Sequence, residues 1–139
     1  MKIAVDGWGG DFAPEEIIKG VREAYSPDYT LVVVGPRQEL LSLYSQMGMD
    51  EERFPIENAS QVVGMGESPT EALKKKPDST IAKGIDLLAQ GKIDAFISAG
   101  NSGAVMAAAW MKLKRIAQIE RPAITALIPN PNSVPFFWM

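Results

Sequence analysis

The chain has 139 residues and a net charge of −3, enough length for one domain with a real core and too little positive charge to track nucleic-acid phosphates. It contains no cysteine and no histidine, which excludes disulfides, thiolate or imidazole metal sites, a cysteine nucleophile and a Ser-His-Asp triad within these residues. No run of apolar residues approaches bilayer length and no signal core opens the chain, so it reads as a soluble, cytoplasmic-type protein.

Strand-like and helix-like segments alternate. Lys2 to Asp6 is a short apolar strand. Asp11 then precedes Pro14-Glu15-Glu16, a helix start with proline and acids in the first turn, and Ile17, Ile18, Val21 and Ala24-Tyr25 supply its apolar stripe. Thr30 to Val34 is a β-branched run suited to a strand covered on both faces. Gly35-Pro36 turns the chain into a helix with Leu40, Leu41, Leu43, Tyr44 and Met47 on its buried side. Phe54 to Val63 holds one short strand. Ser68-Pro69-Thr70-Glu71 has capping-box spacing. Asp78-Ser79-Thr80 caps the next helix, which carries Ile81, Ile85, Leu87 and Leu88 and stops at Gly91. Ala95 to Ser98 is a strand, Gly103 to Lys114 a helix of small residues, Ala123 to Ile128 a strand and Val134 to Met139 another. The order implies a three-layer α/β/α fold with a mostly parallel sheet.

Parallel sheets bind ligands at the carboxyl ends of their strands. Two glycine-bearing loops fall there: Gly7-Trp8-Gly9-Gly10-Asp11 and Ser98-Ala99-Gly100-Asn101-Ser102-Gly103. In the second, bare backbone, a helix N-terminus and the side chains of Ser98, Asn101 and Ser102 converge as donors, the makings of a phosphate or oxyanion cradle. A tight turn capped by Ser102 is the plainer alternative. Neither loop is a Walker A loop or a dinucleotide fingerprint. Asp11 either caps the first helix or orients a substrate. Lys74-Lys75-Lys76 is a solvated run or, through Lys75, a source of charge for an anion.

Together these pieces resemble the bacterial phosphate acyltransferases of phospholipid synthesis, the PlsX family. The matching residues are Ile3-Ala4-Val5-Asp6, Gly9-Gly10-Asp11 with Ala13-Pro14, Lys75-Lys76 with Asp78-Ser79, Asp94 through Ala104, and Arg121-Pro122-Ala123. Gly7-Trp8 stands where the family usually has Ala-Met, and Ser102 where it usually has Thr. The resemblance implies a fold like that of the isocitrate and isopropylmalate dehydrogenases. It implies transfer of an acyl group from acyl-acyl carrier protein to inorganic phosphate, with no cofactor and no metal, by a homodimer loosely associated with the membrane. It assigns Ser98 to Gly103 to phosphate or oxyanion binding, Asn101, Asp11 and Lys75 to catalysis, and Gly9, Gly10 and Ser79 to the substrate cleft. A nucleotide-dependent dehydrogenase on the same fold and a non-catalytic phosphate-ligand-binding domain are the alternatives. Residues 1–139 then read as the N-terminal portion of a single domain. The apolar run Val134 to Met139 suggests a chain cut at a buried strand, inactive alone and prone to associate through Phe136, Phe137 and Trp138.

Overall fold

Alternating side-chain direction along the continuously buried second strand shows how the layers form. The computed structural model describes residues 1–113, 117, 118 and 124. Among them the elements run β1 (Lys2–Asp6), α1 (Glu15–Glu23), β2 (Thr30–Gly35), α2 (Arg37–Met47), β3 (Ile56–Asn58), α3 (Pro69–Lys75), α4 (Thr80–Ala89), β4 (Ala95–Ile97) and α5 (Ser102–Lys112). Leu31 and Val33 of β2 pack with Ile18 and Val21 of α1 and Leu40 and Tyr44 of α2. Val32 and Val34 point the other way, into a cluster with Ala4, Leu87 and Ile93. A period-two strand buried on both faces therefore carries α1 and α2 on one side and α4 on the other. Beyond α4, Ile81, Ala82 and Ile85 pack with Ala72, Leu73, Ala104 and Ala108, which brings α3 and α5 into the second layer.

The sheet order is β3-β2-β1-β4, and every pairing is parallel. Ala4 of β1 stands between Val32 of β2 and Phe96 of β4. Gly84 lets α4 lie on the sheet: a methyl group there would meet the Phe96 ring at 2.1 Å. The chain builds outward from β1 through β2 to β3, then crosses back to lay β4 on the other side of β1. That reversal is a topological switch point, and it lies between β1 and β4.

Several local expectations are corrected. Leu41 is 41% exposed, so the buried side of α2 is Leu40 and Tyr44 with Leu43 and Met47 partly covered. Tyr25 is likewise exposed. Ser68 occupies the N-cap of α3 but makes no side-chain cap hydrogen bond, despite Glu71 at capping-box distance. The strand expected at 134–139 with its aromatic run, and that expected at 123–128 apart from Ile124, lie outside the described residues, as do Lys114 and Arg115.

Candidate functional site

Because β1 and β4 are neighbours, the two glycine loops leave the sheet side by side. A methyl group at Gly9 would stand 2.8 Å from the Gly100 nitrogen, and one at Gly100 would stand 3.2 Å from the Gly9 Cα. The loops thus touch backbone to backbone. Gly10 adopts φ +103°, a conformation that only glycine takes without strain. Trp8 turns its ring onto Gly35, where a methyl group would meet it at 2.4 Å, and packs against the α1/α2 core. The bulk of this residue is thereby taken up under β2.

The donors of the second loop are not all available. The Ser98 hydroxyl donates to Asp6 Oδ2 at 2.8 Å, and its oxygen accepts the Gly100 N–H at 3.1 Å. Asn101 is 7% exposed. Its Oδ1 accepts the Ala104 N–H at 3.0 Å, and its Nδ2 donates toward the carbonyls of Gly64, Met65 and Glu67 at 3.1, 3.3 and 3.0 Å. An amide with two N–H groups is fully spent on three carbonyls. In this geometry Asn101 holds the 64–67 segment, and the oxyanion donor expected of it is turned away. Ser102 is exposed, and the backbone N–H groups of Asn101, Ser102 and Gly103 have no acceptor among the described residues. These amides, with the Ser102 hydroxyl, are what the start of α5 offers an anion. Gly103 fits under Pro69, where a methyl group would collide at 2.7 Å.

The remaining expected residues are scattered. Asp11 is exposed, and Pro14, not Asp11, stands at the N-cap of α1 without a side-chain cap. Among the described residues Asp11 has no hydrogen-bond or ion-pair partner. Lys75 is 76% exposed and pairs with Glu71 one helical turn back at 3.6 Å, a solvated contact worth little. Ser79 is fully buried: its Oγ caps α4 by accepting the Ala82 N–H at 3.3 Å, so its side chain forms no part of an open cleft wall. Neither the Lys75 nor the Ser79 side chain makes a hydrogen bond or ion pair to the glycine loops among the described residues.

Sequence reasoning passed over Lys76. Its ammonium donates to the Val62 carbonyl at 2.8 Å and to Glu67 Oε1, which also accepts the Gly64 N–H. The hydrogen bond from Lys76 and that from Gly64 hold the Glu67 carboxyl below its ordinary pKa. Lys76 and Asn101 thus grip the same 64–67 segment from two sides. The Gly64-Met65-Gly66-Glu67 pattern ahead of a proline-led helix was the available signal. No cluster of acidic residues able to hold a metal occurs among the described residues, and no helix there is long and apolar enough to cross a membrane. A recess lined by Lys2, Val32, Ile56, Leu87 and Ile93 opens toward the amino ends of the strands, the opposite end from the switch point.

The family model described as "Fatty acid synthesis protein" matches residues 1–137. The chain belongs to that family. Curated relatives agree: a phosphate acyltransferase of Halothermothrix orenii is 46% identical over 134 residues, and one of Dictyoglomus thermophilum is 46% identical over 136 residues. These alignments cover 95% and 97% of this chain and 40% of each relative. A phosphate acyltransferase of Desulforudis audaxviator is 44% identical over 94% of this chain. The chain therefore spans about 40% of the length of the relatives it matches. The resemblance carried by the glycine loops and the Asp78-Ser79 and Asp94 to Ala104 stretches is borne out at the level of the family.

Proposed function

We propose that the protein to which these residues contribute transfers the acyl group of acyl-acyl carrier protein to inorganic phosphate, with residues 1–139 as the N-terminal portion of a single acyltransferase domain. The observation that carries this reading is the set of unspent amides at Asn101, Ser102 and Gly103, at the start of α5 and on the switch-point side of the sheet. A phosphate oxygen attacks the thioester carbonyl carbon, a tetrahedral oxyanion forms, and the C–S bond breaks. Acyl phosphate leaves, and the carrier thiolate takes up a proton. Phosphate is itself the nucleophile, so the chemistry asks for no serine or cysteine nucleophile. It asks for placement of two anionic partners and for fixed dipoles at the developing charge.

In this reading the amides of Asn101 to Gly103 and the Ser102 hydroxyl bind phosphate or the oxyanion. Asn101 keeps the 64–67 segment against that helix start. Gly9 and Gly10 form the facing wall. Exposed Asp11 and Lys75 keep the parts the motifs suggest for them, orientation of substrate and charge toward it. Homodimerisation and loose membrane association are drawn from the family resemblance, and a cytoplasmic location from the composition. The test is an assay of the full-length protein with acyl-acyl carrier protein and phosphate, trapping acyl phosphate with hydroxylamine. Phosphate-dependent product is expected, and its absence with release of carrier thiol to water alone would defeat the reading.

A further inference from the structure

We propose that Asp6 is the positioning residue of this crevice, a buried carboxylate that sets both glycine loops at once. The inference rests on the reading of Ser98 to Gly103 as an anion cradle and explains what holds that cradle in shape. Asp6 closes β1 and is 1% exposed. Its Oδ1 accepts the Trp8 N–H of the first loop at 3.1 Å. Its Oδ2 accepts the Ser98 hydroxyl of the second at 2.8 Å, and Ser98 Oγ in turn accepts the Gly100 N–H at 3.1 Å. A buried carboxylate is costly unless hydrogen-bonded or paired, and none of the ion pairs among the described residues includes Asp6. Its partners come from the two loops themselves. Each loop's shape is therefore part of what makes that burial tolerable.

Polarity makes the arrangement directional. An ionised carboxylate only accepts, so the single Ser98 proton is committed to Asp6, and the serine lone pairs face the Gly100 amide. The chain Asp6–Ser98–Gly100 turns the Gly100 N–H inward and leaves the next three amides as the ones without acceptors. The same relay runs beside two glycines. A methyl group at Gly9 would lie 3.0 Å from both Asp6 Oδ2 and Ser98 Oγ, and one at Gly100 would lie 3.2 Å from Ser98 Oγ. A side chain at either position would crowd the relay as well as the backbone of the facing loop. Asp6 acts through Ser98 and Trp8 and has no surface of its own for a ligand.

The test uses Asp6→Asn, Ser98→Ala, Ser98→Thr and the Asp6→Asn/Ser98→Ala double variant of the full-length protein. Two quantities are read: the dissociation constant for inorganic phosphate by titration, and hydrogen exchange at the Gly100 and Trp8 amides without ligand. Asp6→Asn and Ser98→Ala should each weaken phosphate binding about tenfold, since each leaves a buried group unsatisfied. The double variant should be no weaker than the worse single one, the mark of a shared chain. Ser98→Thr, which keeps the hydroxyl, should restore affinity. Gly100 exchange should quicken in both damaging variants, while Trp8 exchange stays slow, because the asparagine carbonyl oxygen still accepts the Trp8 N–H. Additive losses, or Gly100 exchange as slow in Asp6→Asn as in the unaltered chain, would overturn the proposal. Should Asp6→Asn fail to fold, the Ser98 pair decides: Ala must quicken Gly100 exchange and weaken binding, and Thr must do neither. If the unaltered chain binds no phosphate, the anion reading fails, and the exchange rates still settle whether Asp6 holds the loops.

Discussion

α4 and α5 begin with the same local device in different surroundings. Each N-cap side chain accepts the amide three residues on, Ser79 from Ala82 at 3.3 Å and Asn101 from Ala104 at 3.0 Å. At α4 the start is closed. Ser79 and Thr80 are 0% and 1% exposed, and the Thr80 N–H donates to the Gln61 carbonyl at 3.0 Å. At α5 Ser102 is exposed and the first amides are unspent. Both helix starts carry positive potential, but only one presents it. A capping sequence thus marks where a helix begins; whether that end can serve an anion depends on which distant segment lies over it.

The largest break in this comparison should come from Asn101→Ala. It removes the cap and the amide that binds three carbonyls, and should cost about 3 kcal/mol of stability in urea unfolding, a cap loss plus an unsatisfied buried group. A loss equal to that of Ser79→Ala would mean that the 64–67 segment is held without Asn101. Next comes Gly9→Ala. The added carbon meets the Gly100 nitrogen at 2.8 Å, so the loops must part, at roughly 2 kcal/mol by analogy with overpacked cores, and phosphate affinity should fall with stability. Retained affinity would place the anion elsewhere.

Ser79→Ala should cost about 1 kcal/mol, the usual worth of an N-cap, and leave phosphate affinity unchanged. A loss of affinity would return Ser79 to the cleft. Ser102→Asp separates the two properties at α5. A negative charge in the first turn should raise stability by about 0.5 kcal/mol while weakening phosphate binding. Calorimetry and phosphate titration on the same variant would show whether the two move in opposite directions.

The smallest effect is with pH. Hydrogen bonds from Lys76 and Gly64 lower the Glu67 pKa from 4.5, and those from the Ser60 hydroxyl and amide lower that of Asp78 from 3.8. A depressed folded-state pKa gives stability that is complete above the ordinary value and is lost as pH falls through the folded one. Melting temperature should therefore be insensitive to these groups above pH 4.5 and decline below it, first through Glu67 and then through Asp78. Glu67→Gln should flatten the upper part of that decline, and an unchanged profile would remove Glu67 from the account.

Much of this molecule was legible in residue order alone. Period-two and helical patterns mark β1, β2, α1, α2, α4 and α5, because side-chain direction follows backbone geometry wherever a face is buried. The glycines and small polar residues of Ser98 to Gly103 likewise mark a loop whose backbone can be approached closely. The use of each donor was not legible. Ser98 is committed to Asp6, 92 residues away, and Asn101 to carbonyls 34 to 37 residues away. Lys75 and Lys76 are adjacent in sequence, yet one faces solvent and the other grips Val62 and Glu67. Local chemistry sets what a group can donate or accept. Whether that capacity is spent inside or left for a ligand was decided only when β4 came to lie beside β1 and the 64–67 segment closed on α5, because a hydrogen bond is won by whichever partner the fold brings within 3 Å or so.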